Sequence, residues 1–312
     1  MSDLAPIALF VYNRPDHTRQ TLTALVANTL ASQSDLFIYS DGARSVEQAS
    51  AVDAVRAVIR DVAGFKSVTV IERERNYGLA ASIIDGVTSL CDRYGRIIVL
   101  EDDLLTAPGF LSFMNRALDH YVDDESVMQV AGHSFLDRDD TRDCFMLPMT
   151  TSWGWATWKR AWDCFDAEAK KSDAVLQDNR LRYKFDLDGA YYFSKILSTQ
   201  VAGNIDSWAI RWYLSVFVHD GIVLYPPVSI VRNIGFDGSG THCGTLGDGS
   251  GTGELPSGDF DQFPALVIDQ DALREAREGL QQYTGVKQRP APGPLHYVRE
   301  AVRRLVRKFS SR

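Results

Sequence analysis

The first 130 residues alternate short apolar runs with longer amphipathic stretches, and this alternation constrains the fold more than any other feature. Five apolar runs predict β-strands, at residues 6–12, 36–40, 68–72, 96–101 and 127–132. Between them apolar residues recur every three or four positions, which is typical of helices, near 16–29, 46–61, 78–93 and 108–121. Such alternation predicts an α/β fold with a mostly parallel sheet flanked by helices.

Polar residues follow four of the predicted strands at the point where each strand ends. In chain order they are Asn13-Arg14-Pro15, Asp41-Gly42, Asn76-Tyr77-Gly78 and Glu101-Asp102-Asp103. The carboxyl ends of parallel strands meet at one edge of a sheet, and ligands of open α/β sheets bind beyond that edge. The sequence therefore predicts that these groups lie together in a binding site.

The three adjacent acids Glu101, Asp102 and Asp103 set the chemistry of that edge. Neighbouring carboxylates repel each other unless a cation lies among them. Mg²⁺ and Mn²⁺ prefer oxygen ligands, usually one or two carboxylates with water and substrate phosphate oxygens. An acidic turn before a helix beginning near Thr106 is the alternative, because helix N-termini favour negative charge. Their position directly after a buried strand favours the metal site.

Composition excludes several classes of protein. The chain has 312 residues and a net charge of −8, although residues 294–312 are basic, so a general nucleic-acid binder is disfavoured. No apolar stretch has the length of a membrane span, and no basic region precedes the first apolar run, which predicts a cytoplasmic protein without a signal peptide. The four cysteines lack metal-binding spacing and are expected to be reduced and mostly packed: Cys91, Cys144, Cys164 and Cys243.

Six motifs taken in order resemble those of GT-A glycosyltransferases. They are "NRPDHTRQTL", "YSDG", "EDDLLTAPGF", "SWGWATWKRAW", "DSWAIRW" and "GFDGSGTHCG", and together they cover roughly residues 6 to 245. The likeness is to the inverting N-acetylglucosaminyltransferases that start hybrid and complex N-glycans and to bacterial family-2-like sugar transferases. It implies a metal-dependent, inverting transfer of a sugar from a nucleotide sugar, in which the nucleotide is UDP. The implied acceptor is a glycan, a glycolipid or another lipid-linked saccharide.

The resemblance also implies a domain organisation. A single GT-A, Rossmann-like catalytic domain is expected over residues 1–286, with a nucleotide-binding half at about 1–132 and an acceptor half at about 133–286. The segment "KQRPAPGP", residues 287–294, is predicted to be a linker after a helix capped by Asp269.

Roles for the strand-end residues follow from the same resemblance. Asp103 would bind Mn²⁺ or Mg²⁺, Glu101 and Asp102 would hold ribose and donor-sugar hydroxyls, and Asp41 would accept the N3 proton of uracil. Arg14 would contact the base or the diphosphate, while Asn76 and Gly78 would shape the wall beside the nucleotide. Ordinary structural explanations remain open: a turn at Asp41-Gly42, a surface arginine at Arg14, and a tight turn at Asn76 and Gly78.

Inverting transfer also needs a base that takes the proton of the acceptor hydroxyl. Asp206 matches the position of that base in the resembling family, and the alternative is that it caps the helix of "DSWAIRWYLSVF". Asp102, Asp163 and His133 are substitutes for the same role.

Two further segments have candidate ligand-binding roles. The glycine-rich loop 235–247 is expected to close over the donor, offering backbone amides together with Ser239, Thr241 and His242, unless it is a plain surface loop. Trp153 and Trp155 are candidates for stacking on acceptor or sugar faces. The alternative for these tryptophans is a packed cluster with Trp158 and Trp162.

The tail at 295–312 has apolar residues at helical spacing and basic residues mostly off that stripe. This pattern predicts a basic amphipathic helix that lies on an anionic inner membrane surface, or that docks on the protein's own acidic body or a second subunit.

A nicotinamide-dinucleotide enzyme is disfavoured because no GxGxxG follows the first strand. A sugar nucleotidyltransferase is disfavoured because that position has no glycine-rich basic loop. A non-catalytic protein that binds carbohydrate or nucleotide sugar on the same fold stays open.

Overall fold

The centre of the protein is an eight-stranded sheet, seen in a computed structural model that describes residues 3–136, 143–238, 255–256 and 260–284. The strands in chain order are β1 (Ile7–Val11), β2 (Asp35–Ser40), β3 (Ser67–Glu72), β4 (Arg96–Glu101), β5 (Leu104–Thr106), β6 (Val127–Ala131), β7 (Phe145–Leu147), β8 (Trp155–Trp158), β9 (Ile222–Tyr225) and β10 (Val231–Asn233). The sheet order is β3-β2-β1-β4-β8-β6-β9-β7, and β5 pairs with β10 in a separate two-stranded sheet.

Ten helices accompany these strands in the described part of the chain. They are α1 (Pro15–Val26), α2 (Val46–Arg60), α3 (Leu79–Tyr94), α4 (Phe110–His120), α5 (Lys159–Trp162), α6 (Ser172–Gln177), α7 (Asn179–Phe185), α8 (Phe193–Val201), α9 (Trp208–Val218) and α10 (Gln270–Thr284), and a 3₁₀ turn covers Ala31–Gln33. All five predicted strands and all four predicted helices of the first 130 residues are confirmed, with ends shifted by a few residues.

The sheet has a hydrophobic core on each face. Alternate residues of β1 point to opposite faces, so that Ala8 and Phe10 join one core while Leu9 and Val11 join the other. Helices α3, α5, α8, α9 and α10 contribute to the first core, and α1, α2 and α4 contribute to the second. This layering is the predicted α/β fold, a mostly parallel central sheet flanked by helices.

Strands β3, β2, β1 and β4 run parallel as consecutive neighbours, so their carboxyl ends form one edge. The sequence did not predict that β8 would enter the sheet antiparallel between β4 and β6. Because of this insertion, the aromatic segment "WATW" of the second half pairs directly with the strand that carries the acids. Both halves therefore share one sheet.

Among the described residues, no helix is long and apolar enough to cross a membrane. Of the cysteines in the described ranges, Cys91 and Cys144 are buried and free, and Cys164 is free and partly buried. Burial raises the pKa of the Cys91 and Cys144 thiols to about 12, as expected for packed cysteines. The predicted linker 287–294, the tail 295–312, and Ser239, Thr241, His242 and Cys243 lie outside the described residues.

Candidate active site

The three acids lie where β4 ends and the chain turns into β5. Asp102 and Asp103 are buried, and Glu101 is partly buried. Arg14, which follows the neighbouring strand β1, forms ion pairs with Asp102 and with Asp103, the latter at 2.9 Å from guanidinium nitrogen to carboxylate oxygen. The prediction that the ends of β1 and β4 bring these groups together is confirmed.

The acid cluster, defined as Glu101, Asp102, Asp103 and Arg14, is short of positive charge. Burial, Asp103 and Asp102 together raise the pKa of Glu101 to about 8, against the opposing effect of Arg14. Burial also raises the pKa of Asp102. Burial disfavours the charge on Arg14, yet the two aspartates raise its pKa above the ordinary value. Among the described residues, one guanidinium faces three carboxyl groups, so a further cation is favoured there.

Asp41 organises the ends of β2 and β3. Its buried carboxylate accepts four hydrogen bonds, from the backbone N–H groups of Gly42 (2.9 Å), Tyr77 (2.8 Å) and Gly78 (2.9 Å) and from Nδ2 of Asn76 (2.9 Å). A carboxylate has about four acceptor positions, so these donors satisfy it. Gly78 adopts φ +78°, a conformation that favours glycine. The predicted proximity of Asp41, Asn76 and Gly78 is confirmed.

This bonding bears on the predicted uracil contact. An N3–H of uracil needs an acceptor position on Asp41 that one of the four donors now uses. Asn76 is the one side chain among them, and its Nδ2 also donates to the Gly42 carbonyl at 2.8 Å. The base contact stays a prediction, and in this geometry it requires the Asn76 amide to give way.

Tyr12 joins the acid cluster to the loop after β2. Its backbone N–H donates to Asp102 (3.3 Å), and its hydroxyl bonds Oε1 of Gln48 (2.5 Å) and accepts the N–H of Arg44 (2.9 Å). Sequence reasoning missed Tyr12, although its place at the end of β1 was the available signal.

A segment from the second half of the chain closes one side of the acid cluster. Asn233 of β10 pairs with Leu104 of β5, and the next residue, Ile234, donates its N–H to the Asp103 carbonyl at 2.8 Å. Asn233 Oδ1 accepts the N–H of Gly235 at 2.7 Å. A Cβ atom at Gly235 would come closer to the Asp103 carboxylate than real Cβ atoms approach, and it would also crowd Arg14.

His17 of α1 holds the same segment from the other side. Its Nε2 lies 3.2 Å from the Ile234 carbonyl and 3.3 Å from a carboxylate oxygen of Asp237. Sequence reasoning missed both His17 and Asp237: each lies in one of the quoted motifs, but the motifs are distant in the chain and their order gave these two residues no role.

The acid cluster suits a divalent ion that is shared with a nucleotide. Among the described residues, no three His, Cys, Asp or Glu side chains form a group able to hold a metal ion by themselves. Mg²⁺ at nucleotide sites needs only one or two protein carboxylates, since phosphate oxygens and water complete its coordination. Asp103 supplies an oxygen ligand next to uncompensated negative charge, so the donor set fits such an ion and does not fit an all-protein cage.

Asp206 lies two residues before α9 and is not its cap. The side chain of Ser207 accepts the N–H of Ile210 at 3.4 Å and caps the helix, so the alternative role of Asp206 as N-cap is wrong. The Asp206 carboxylate, 69% exposed, accepts a hydrogen bond of 2.6 Å from Arg211. That guanidinium is fixed in turn by the carbonyls of Ser207 and Ala167, both at 3.0 Å.

The substitutes for Asp206 have less suitable surroundings. Asp163 is exposed and paired with Lys159 at 2.6 Å. Burial lowers the pKa of His133 to about 3, so this imidazole stays neutral and is a weak base. Asp102 is already bonded to Arg14.

The tryptophans divide into core and cavity residues. Trp155 is fully buried and stacks on Trp208 with ring centroids 5.2 Å apart, so the prediction that it contacts an acceptor is wrong. Trp158 and Trp162 are buried as well. Trp153 is partly buried, with its ring centroid 4.4 Å from that of His133 and 5.5 Å from that of Phe236. Trp153 and His133 line a cavity of about 900 Å³ in the second half of the chain.

No family model matches the chain, and no curated protein matches it. Among solved structures, it is similar to a mannosyltransferase from Pyrobaculum calidifontis in complex with GDP-Man and Mn²⁺ (12% identity, 70% of this chain and 77% of that chain, TM-score 0.35). It is also similar to mouse xyloside xylosyltransferase 1 (10% identity, 69% of this chain and 82% of that chain, TM-score 0.36). A third similar structure is a protein described as a nucleotide-diphospho-sugar transferase from Desulfovibrio desulfuricans (14% identity, 53% of this chain and 68% of that chain, TM-score 0.34). These scores are too low to transfer an activity or a ligand.

Proposed function

We propose that this protein is a metal-dependent, inverting glycosyltransferase that moves a sugar from a UDP-sugar to a glycan or glycolipid acceptor. The observation that supports this most is the meeting of Arg14 with the three acids at the carboxyl edge of a parallel sheet, beside the Asp41 loops. The carboxylates at this edge carry more negative charge than Arg14 neutralises, which suits a divalent ion. The guanidinium of Arg14 suits the diphosphate that such an ion accompanies.

On the donor side, Asp103 would hold Mn²⁺ or Mg²⁺, and Arg14 would meet the diphosphate. A bound divalent ion would supply neutralisation of the charge that develops on the departing nucleotide diphosphate. Glu101 and Asp102 would accept hydrogen bonds from ribose and donor-sugar hydroxyls. His242 is proposed to contact the phosphates, as the sequence resemblance implies.

Uridine recognition is assigned to the loops after β2 and β3. The Asp41 carboxylate would accept the N3–H of uracil in place of the Asn76 amide, while its three backbone bonds keep it oriented. A carboxylate accepts from uracil N3–H but not from cytosine N3, which carries no proton. Asn76 and Gly78 would form the adjacent wall.

Asp206 is proposed as the general base. Its carboxylate is exposed, so an acceptor hydroxyl can reach it, and Arg211 holds it in place. It can therefore accept the proton of that hydroxyl without a rearrangement of the protein. The next residue, Ser207, lines the cavity that Trp153 borders. An acceptor in that cavity would therefore lie near the N-terminus of α9.

Replacement of the base separates chemistry from binding. Asp206→Asn is expected to lower transfer by roughly 10² to 10⁴, the usual contribution of a general base, while UDP affinity stays the same. Asp271→Asn, at another exposed aspartate paired with an arginine, is the matched control. An α-linked donor should yield a β-linked product. Full turnover by Asp206→Asn would place the base elsewhere, and retention of configuration would overturn the single displacement.

Activity itself is tested by incubating the protein with a panel of nucleotide sugars and Mn²⁺ and measuring nucleotide release. Release from a UDP-sugar supports the proposal. Binding without release would indicate a non-catalytic nucleotide-sugar-binding protein.

A cytoplasmic enzyme that associates with the inner membrane through residues 295–312 is proposed from the sequence pattern alone. Deletion of residues 291–312 should release the protein from anionic liposomes and leave transfer to a soluble acceptor largely intact. A full-length protein that ignores such liposomes at moderate salt would contradict the membrane contact.

A further inference from the structure

The cavity of about 900 Å³ has a lining that differs from the charged edge next to it. Aromatic residues form part of the wall, among them Trp153, Tyr191, Phe193 and Tyr213. Six serine and threonine residues and the amides Asn233 and Gln282 supply polar groups, and aliphatic residues such as Leu136, Ile196 and Leu280 form most of the rest. Among the described residues that line the cavity, none carries a carboxylate.

His133 adds a neutral hydrogen-bonding group to this wall. Its Nδ1 bonds the Ser229 hydroxyl at 2.7 Å, and that hydroxyl also accepts the N–H of Ser134 at 3.1 Å. The ring is fixed further by Trp153 and by Phe135, whose centroid is 4.7 Å away. Nε2 is the second hydrogen-bonding atom of the imidazole, and burial keeps the ring uncharged by lowering its pKa.

The composition of the wall selects among ligand classes. Arg232 is the one permanently charged residue in the described lining, and it already has an interaction within the protein, so an anionic ligand would have to share this one cation with that interaction. An alkyl chain would match the aliphatic part of the wall, but it would leave the hydroxyl and amide groups without hydrogen bonds, which is unfavourable. A neutral sugar satisfies both parts of the lining, because its apolar face stacks on aromatic rings and its hydroxyls bond polar groups.

A shared chain segment, residues 233–236, links the cavity to the acid cluster. Asn233 lines the cavity and pairs with Leu104, the residue after Asp103. Phe236, which follows Gly235 of the segment against the acid cluster, contacts Trp153. A ligand in the cavity would therefore lie beside the proposed donor site.

We propose that this cavity binds a neutral saccharide unit, the terminal sugar of the acceptor, between Trp153 and the imidazole of His133. The assignment to the acceptor rests on the proposed transferase function, whereas the chemical class of the ligand rests on the lining alone.

The test measures binding of simple probes to the full chain by saturation-transfer NMR. The probes are methyl glycosides of glucose, galactose, mannose and N-acetylglucosamine, with methyl glucuronide as the anionic probe and decyl phosphate as the lipid-like probe. At least one neutral glycoside is expected to bind. If none binds, or if only the glucuronide or decyl phosphate does, the proposal is overturned.

Variants then place the bound sugar. His133→Phe keeps the ring packing but removes the hydrogen bond, and it should weaken the neutral glycoside by about tenfold. Trp153→Ala should weaken it at least as much. His120→Phe, at an exposed histidine on α4, is the matched control and should change nothing. Ser229→Ala tests the same hydrogen-bond chain with a smaller structural change if His133→Phe fails to fold. The proposed position would be overturned if Trp153→Ala kept its affinity for the neutral glycoside and the folded variant of the pair His133→Phe and Ser229→Ala did so too.

Calorimetry with a UDP-sugar and Mn²⁺ separates this inference from the proposed function. Glycoside binding without UDP-sugar binding would support the neutral-saccharide site and contradict the proposed transferase function. UDP-sugar turnover by a protein that binds none of the neutral glycosides would remove the saccharide cavity alone.

Discussion

Asp41 and the acid cluster occupy the same edge of the sheet, and their carboxylates are compensated in different ways. Asp41 accepts four hydrogen bonds, three of them from backbone N–H groups of the loops after β2 and β3. In the acid cluster, Glu101, Asp102 and Asp103 share the single guanidinium of Arg14. Neutral donors thus satisfy one site completely, whereas the other keeps an excess of negative charge.

This difference separates a geometric role from an electrostatic one. The bonds to Asp41 fix the shape of two loops and are complete in the protein alone. The pKa of Glu101 is raised because burial and its neighbours disfavour a third negative charge. A divalent ion with a diphosphate would complete the acid cluster, so we expect metal and nucleotide to change this site far more than the Asp41 loops.

The largest effect is expected for Asp103→Asn, which keeps the side-chain shape and removes the charge. Transfer should fall roughly 10²- to 10³-fold, as when one electrostatic group of an active site is removed, because the divalent ion loses its carboxylate. Initial rates across a Mn²⁺ titration measure this. Asp16→Asn, at an exposed acid of α1, is the control. Wild-type rates with unchanged metal dependence in Asp103→Asn would contradict the metal assignment.

Gly235→Ala should perturb the acid cluster without changing its charge. The added Cβ atom collides with the Asp103 carboxylate and crowds Arg14, so the carboxylate must move. Small misplacements of this kind lower rates by about 10- to 100-fold. Gly203→Ala, whose Cβ meets nothing within 4 Å, should affect stability but not transfer. A fully active Gly235→Ala would show that the position of Asp103 is not critical.

Asp41→Asn removes a charge as Asp103→Asn does, but its main effect in the metal-free protein should be on stability. The new amide nitrogen faces N–H donors, so two donors, at least one of them only partly buried, lose their acceptor, and the free energy of unfolding should fall by about 2 kcal/mol. Asp103→Asn should change it by less than about 1 kcal/mol, because Asp102 still pairs with Arg14. Urea denaturation of both metal-free variants measures the contrast. Equal losses would remove the distinction between the two sites.

A further effect concerns pH. The folded pKa of Glu101 lies above its unfolded value, so the folded state binds more protons between the ordinary glutamate pKa and about 8. Stability of the metal-free protein should therefore fall as pH rises through that window, by at most about 1.4 kcal/mol per pH unit. Glu101→Gln should flatten this part of the profile in denaturant titrations. An identical profile in the variant would rule out Glu101 as its source.

Sequence patterns predicted the strand-end site because each signal was local. Apolar periodicity located β1 to β4, and the parallel topology required their carboxyl ends to meet, which placed Arg14, Asp41 and the acids at one edge. Tyr12 directly follows β1, so the same rule about strand ends would have placed it at the site.

Other features depend on contacts between distant segments. Nothing in the chain near His17 indicates that it meets Ile234 and Asp237. The buried position of Trp155 follows from the antiparallel insertion of β8, which periodicity alone does not predict. The cap of α9 fell on Ser207 instead of Asp206 because both residue types are good caps, and a shift of one residue decides between them.

The central claim is that the acid cluster requires a divalent ion together with the nucleotide, and calorimetric titration of the wild-type protein with UDP tests it most directly. One titration contains Mn²⁺ and the other contains EDTA. We predict measurable affinity with Mn²⁺ and a loss of roughly 10²-fold or more with EDTA, reflecting the several kcal/mol that a bound ion contributes. Equal affinity in the two titrations would contradict the claim.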